Sequence, residues 1–210
     1  MDYERVSEYI ERWVGEGGTM LSQARRQSLA LRPYGVIPIN STRGRFLELV
    51  ARTRCPNKVL EIGPGGGYSG LWFLRGMKNS SKLEVVERNP YVAAEFEKMM
   101  KKSGFGDRVI LHLGPALEVL SRLKGHYDCV FIDADKDEYP EYLKHSMRLT
   151  RRGSIILADN LFWHWSVLNG KGRFDVKGIR EYTKMIFNDK RLSSLIIPLG
   201  DGLGISYRIS

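Results

Sequence analysis

Asp133, Asp135 and Lys136 stand directly after one apolar run, and Asp159 and Asn160 directly after another. The two runs, Tyr127 to Ile132 and Ser154 to Ala158, read as buried strands. If those strands are neighbours in one parallel sheet, Asp133, Asp159 and Asn160 emerge together at its carboxyl edge. Two carboxylates and an amide oxygen are hard donors, suited to Mg²⁺ first, with Ca²⁺ or Mn²⁺ as alternatives, rather than zinc. A substrate hydroxyl bound to such an ion becomes easier to ionise. Lys136, three residues after Asp133, is then the candidate for taking the proton, since a lysine beside a cation can act as a base. Asp133 and Lys136 are the catalytic candidates.

A second constellation lies upstream. Val59 to Ile62 reads as a strand, Gly63-Pro64-Gly65-Gly66-Gly67 as a turn and Tyr68-Ser69 as a helix start. Glycines there let a ligand approach the backbone, and the helix N-terminus favours a negative group. No Lys-Ser/Thr pair follows, so a phosphate loop is excluded, and the register of a dinucleotide fingerprint is not met. The next strand ends in Glu87, an acid placed to accept both hydrogen bonds of a ribose diol.

The elements that must position these residues follow from periodicity. Helices are predicted over Tyr3 to Val14, over Leu21 to Leu31 and from Asn40-Ser41 onward, with Phe46, Leu47 and Val50 on one face of the third. From Lys58 the pattern becomes strand alternating with helix. Strands are predicted at 58–62, 82–86, 108–112, 127–132 and 153–158, with helices near 68–77, 90–103, 115–123, 138–149 and 176–189. Such alternation implies a parallel sheet covered on both faces. Leu192 to Pro198 and Leu203 to Ile209, joined through Gly200-Asp201-Gly202, read as a hairpin that ends the sheet with an antiparallel strand.

The 210 residues predict one domain, with a helical segment over 1–57 and a core over 58–210. No window is apolar enough to span a membrane, and the N-terminus lacks a signal-peptide pattern, so cytoplasmic residence is expected. Cys55 and Cys129 have no metal or redox spacing, and Cys129 reads as a small core hydrophobe. The net charge of +9 is spread over Lys98 to Lys102, Arg148 to Arg152 and Lys171 to Arg191, which describes solvated helix faces.

Taken together, these residues resemble the cation-dependent O-methyltransferases that include the caffeoyl-CoA and catechol enzymes. Leu60-Glu61-Ile62-Gly63 with Gly67-Tyr68-Ser69 is similar to that family's first motif, and Gly114-Pro115-Ala116-Leu117 to its adenine-side loop. Asp133-Ala134-Asp135-Lys136-Asp137 is similar to its metal strand, Asp159-Asn160 with Trp163 to the next strand end, and Pro198 to Gly202 to its terminal hairpin. The resemblance implies a Rossmann-like class I methyltransferase, an α/β fold with a mostly parallel seven-stranded sheet, an antiparallel C-terminal strand and helices on both faces. It implies S-adenosylmethionine as cofactor, with Glu61, Gly63, Pro64 and Ser69 on its methionine part, Glu87 on the ribose and Ala116 on the adenine. Asp133 and Asp135 would lie on the cofactor side, Asp133, Asp159 and Asn160 would bind the metal, and Trp163 and His164 would contact substrate.

Two departures stand out. The first loop has Gly66-Gly67 where the family has Thr-Gly. The segment before the first strand reads Ser41-Thr42-Arg43-Gly44 in place of Pro-x-Glu-Gly, so an arginine replaces an acid that faces the cofactor amine. That exchange favours a substrate carrying negative charge. The expected activity is O-methylation of a small vicinal-dioxygen acceptor such as a catechol, in a homodimer. The alternatives are O-methylation of a hydroxylated tRNA base, which Arg25-Arg26, Arg43 and the positive charge would suit, or a catalytically silent cofactor- or RNA-binding protein.

Overall fold

The computed structural model describes residues 3–168 and 174–210; Met1, Asp2 and the start of the basic stretch at Lys171 lie outside the described residues. Three helices come first, α1 (Tyr3–Val14), α2 (Thr19–Ala30) and α3 (Ser41–Arg54). Asn40 caps α3, its side-chain oxygen accepting the Arg43 backbone N–H at 2.9 Å. That bond satisfies one of the donors left over at a helix start.

Strand and helix then alternate through β1 (Lys58–Ile62), α4 (Tyr68–Gly76), β2 (Lys82–Glu87), α5 (Pro90–Lys102), β3 (Val109–Leu113), α6 (Ala116–Arg122), β4 (Cys129–Ile132), α7 (Tyr139–Leu149), β5 (Ile155–Ala158) and α8 (Phe174–Asn188). A hairpin of β6 (Leu192–Ile197) and β7 (Leu203–Arg208) closes the chain. The sheet runs β3-β2-β1-β4-β5-β7-β6. Strands β1 to β5 are parallel, and β7 enters antiparallel between β5 and β6. The hairpin is as predicted from Gly200-Asp201-Gly202, and its second strand, β7, supplies the antiparallel strand beside β5.

Side chains alternate between two apolar layers, as a sheet covered on both faces requires. Val59, Val85, Phe131 and Leu157 pack with Leu71, Trp72 and Phe73 of α4. Leu60, Ile62, Val130, Ile132 and Ile156 pack on the other face with Tyr139 and Tyr142 of α7 and Tyr182 of α8. Cys129 belongs to the first layer, where burial pushes its thiol up to about 12, and it is a core residue.

The fourth and fifth strands begin later than the predicted 127 and 153. Tyr127 sends its N–H to the Leu149 carbonyl at 2.8 Å, and its own carbonyl accepts the Ser154 hydroxyl at 2.8 Å. The first bond ties the entrance of β4 to the end of α7, and the second ties it to the residue before β5.

Candidate active site

The strand order reverses direction between β1 and β4, and a crevice opens beyond the carboxyl ends of such neighbours. Asp133 follows β4 and Asp159 follows β5, whose last residues Ile132 and Ala158 are register partners. The two acids and Asn160 therefore emerge together. Asn160 takes a left-handed backbone (φ 60°), a conformation its short amide side chain tolerates.

A cavity of about 590 Å³ collects the site. Gly63, Pro64, Ser69, Glu87, Ala116, Asp133, Asp135, Lys136, Asp159, Asn160, Trp163 and His164 all line it. Of the residues expected at the site, Glu61 alone lies behind the wall, fully buried in β1. Gly63 sets the floor: its φ is +86°, and a Cβ there would come within 2.3 Å of the Asp133 carbonyl oxygen. Only glycine lets β1 and β4 end so close together.

The charged groups divide into pairs. Lys136, buried, donates from Nζ to Asp133 Oδ1 at 2.9 Å and to Tyr139 Oη at 2.6 Å. Tyr139 donates in turn to the Asp159 backbone carbonyl at 2.9 Å, so Lys136 is fixed to both strand ends. Burial, then the charges of Asp133 and Asp159, hold the Tyr139 phenol well above its ordinary range. Arg43 Nη1 lies 2.5 Å from Asp159 Oδ2, with Asp159 almost wholly buried. Burial alone would lower the arginine, but Asp159, Asp133 and Asp201 together raise it, so it stays charged. Burial pushes the Asp159 carboxyl up against the opposing pull of Arg43.

On the other side of the cavity, Glu87 accepts the Asn89 N–H at 2.8 Å, and burial raises its carboxyl against two backbone hydrogen bonds. Asp135 sits at the rim in an exposed pair with Arg88 at 2.6 Å. Trp163 donates its indole N–H to Asp175 at 2.9 Å, which holds the ring over the site. His164 is exposed and is held by its backbone N–H on Asp201 Oδ1 at 2.8 Å.

Sequence reasoning missed Tyr139, Asp175, Asp201 and the segment Tyr34 to Ile39, which also lines the cavity. Tyr139 had a signal, lying three residues after Lys136 on a helical turn. The others are joined to the site only by tertiary packing.

The donor set does not fit a resident divalent ion as it stands. Asp159 Oδ2 is held by Arg43, Asp159 Oδ1 accepts the Asn160 N–H at 2.8 Å, and Asp133 Oδ1 is held by Lys136. Both carboxylates already face a side-chain cation, and a further doubly charged ion in this buried spot would have to displace one. Among the described residues, no cluster of three His, Cys, Asp or Glu side chains is arranged to hold a metal ion.

A parallel sheet with an antiparallel seventh strand, and a glycine-rich turn beside an acid at the end of the second strand, define the Rossmann-like methyltransferases. The O-methyltransferase family profile matches residues 14–209, and the chain belongs to that family. It is an S-adenosylmethionine-dependent O-methyltransferase. A catechol O-methyltransferase of Niastella koreensis is 31% identical over 202 residues, covering 94% of this chain and 91% of the relative. The O-methyltransferase TomG from Streptomyces achromogenes, solved with SAM, superposes with a TM-score of 0.89 at 25% identity over the whole of both chains. An O-methyltransferase from Bacillus cereus, solved with SAH, gives a TM-score of 0.86 at 26% identity over 97% of each chain.

Proposed function

We propose that the chain methylates one oxygen of a small aromatic acceptor carrying two adjacent oxygens. The supporting observation is one cavity that holds both the turn Gly63 to Ser69 and the group Asp133, Lys136, Asp159 and Asn160. The methyl donor lies against Gly63, Pro64 and Ser69, with its ribose on Glu87 and its adenine beside Ala116. Asp133 and Asp135 face it from the next strand end. The acceptor lies between Trp163, His164 and the carboxylates. Held in line, the acceptor oxygen attacks the methyl carbon, and orientation of this kind is worth several orders of magnitude in rate.

The acceptor's proton passes to the Asp133–Lys136 pair and then to water. Lys136→Met, which keeps length and loses charge, is expected to lower kcat by about 100-fold or more. The Kd for S-adenosylmethionine, read by calorimetry, should stay within about threefold, well under the tenfold that corresponds to about 1.4 kcal/mol. An unchanged kcat would remove Lys136 from the chemistry.

The divalent ion, Mg²⁺ above Ca²⁺ or Mn²⁺, is expected from the donor types and from the resemblance; of its acids, Asp159 is paired with Arg43 and Asp133 Oδ1 with Lys136. No step is therefore routed through it. A labelled methyl-transfer assay comparing a catechol panel with total tRNA tests the acceptor. Methylation of a catechol supports the reading, whereas label confined to tRNA, with binding that falls steeply with salt, replaces it.

A homodimer forms part of the same proposal. Val6, Tyr9, Ile10 and Trp13 form an exposed apolar stripe on α1, and their burial against a second copy would account for it. Light scattering is expected to give a dimer for the wild type and a monomer for Trp13→Glu.

A further inference from the structure

We propose that Arg43 is the resident cation of the acceptor site, its guanidinium paired with Asp159, one of the acids expected to hold a divalent ion, so that methyl transfer in this chain proceeds without a metal. The inference rests on the proposed acceptor site and adds to it the group that holds the acceptor oxygens.

The arginine is built in, not draped over the surface. Its Nη1 is paired with the buried Asp159 at 2.5 Å, and Asn40 Oδ1 accepts from both its backbone N–H at 2.9 Å and its Nε at 3.4 Å. Asn40 is itself fixed by donating to Glu11 at 2.7 Å. The hairpin turn is cut to admit the side chain: a Cβ on Gly200 would lie 2.6 Å from Arg43 Nε and 2.9 Å from its Cζ. The arginine's helix is pressed down as well, because Gly44 meets the Trp72 ring where any side chain would collide.

A guanidinium presents five N–H donors in a planar fork and does not lose its proton. With Nη1 on Asp159 and Nε toward Asn40, donors remain in the cavity that Arg43 lines. Two adjacent oxygens on a planar acceptor match that fork, and an anionic acceptor matches its charge. The acceptor binds as its oxyanion beside Arg43, having passed its proton to the Asp133–Lys136 pair. A lone pair on that oxygen forms the O–CH₃ bond as the S–CH₃ bond breaks, and the bonding pair stays on sulfur. The arginine stabilises charge on the oxygen, the work a metal ion does elsewhere.

The test reads metal binding directly, so it does not depend on naming the acceptor. Metal-stripped wild type, Arg43→Gln and Arg43→Lys are titrated with Mn²⁺ while the free ion is followed by electron paramagnetic resonance. Wild type and Arg43→Lys should hold no stoichiometric Mn²⁺, whereas Arg43→Gln should gain a site, with affinity raised about tenfold or more over wild type. Arg43→Lys also guards against loss of fold, since it keeps the charge and loses only the fork. Stoichiometric, tight Mn²⁺ binding by wild type overturns the proposal, and so does failure of folded Arg43→Gln to gain binding. In the catechol assay, wild-type turnover should survive a chelator, and loss of turnover with the chelator overturns the proposal. If no catechol is methylated with or without metal, the acceptor reading fails, while the Mn²⁺ titrations still decide the role of Arg43.

Discussion

Glu61→Gln is expected to melt later than wild type above pH 8 and to bind S-adenosylmethionine more weakly. Glu61 is fully buried in β1, and neither of its carboxylate oxygens makes a hydrogen bond of good geometry. Burial, opposed by the nearby Ser69 hydroxyl and assisted by the charge of Asp133, pushes its carboxyl from 4.5 up to about 8. The unfolded chain ionises this group from about pH 4.5, whereas the folded chain keeps the proton until about pH 8. Stability is therefore lost as pH rises through that window and is level above it. A shift of this size corresponds to at most about 5 kcal/mol. Glutamine carries no such cost, so the difference between the two melting curves should be small at pH 5 and largest above pH 8.

The resemblance to the family assigns this same carboxylate to the cofactor's methionine part. Glu61 lies behind the cavity wall beside Ser69, and if the ammonium of the cofactor's methionine part reaches its carboxylate, a charge-assisted bond of that kind is worth about 1.5–3 kcal/mol. Glu61→Gln should therefore lower cofactor affinity by on the order of 10- to 100-fold. Calorimetry at pH 8.5 reads this directly. Equal affinities in the two proteins would mean that Glu61 only supports the strand. A matched loss of affinity and gain of stability would mark strain kept for binding.

How much of this was legible in the sequence depends on distance along the chain. Apolar runs mark β1, β2, β4 and β5, because each side chain of a doubly covered strand has a layer to join, as Val59 and Leu60 do on opposite faces, whereas β3 at the sheet edge leaves Ile110 and Leu113 exposed. The approach of Asp133, Asp159 and Asn160 follows from two strand ends being neighbours. Lys136 is near Asp133 because one turn of 3₁₀ helix, Lys136–Glu138, separates β4 from α7. By contrast, Arg43 and Asp159 are 116 residues apart in sequence and 2.5 Å apart in space. The Arg43 exchange is visible as a departure from the family pattern. Its partner is not, because no local rule connects a helix start near the N-terminus to the end of the fifth strand. The seating of β7 inside the sheet is hidden for the same reason, since a hairpin signal does not say which strand pairs with β5.

Gly44→Ala should destabilise the protein, although helix propensity alone argues the reverse. In a helix interior, alanine is favoured over glycine by about 1 kcal/mol. Here the added Cβ would come within 2.2–2.5 Å of three ring atoms of Trp72. That ring has no route of retreat. It is fully buried in α4, and the guanidinium groups of Arg45 and Arg75 lie 5.0 and 5.3 Å from its centroid. The same arginines are anchored on buried Glu48, at 2.7 Å from Arg45 and 3.8 Å from Arg75. Overpacking against a fixed neighbour costs about 1–3 kcal/mol or more, so it outweighs the propensity gain. For a chain of this length, each kcal/mol lowers the melting temperature by about 2–4 °C. Relief must come from α3 lifting away from α4, and α3 carries Arg43 in the preceding position. Methyl transfer should therefore fall by more than the loss of folded protein explains. Trp72→Leu alone should destabilise by about 2 kcal/mol or more through the cavity it leaves. Combined with Gly44→Ala, it makes room for the new methyl, and the double variant should be more stable than the sum of the single effects predicts. Additive losses would show that the two residues do not press on each other, and that something other than this contact holds Arg43 over the site.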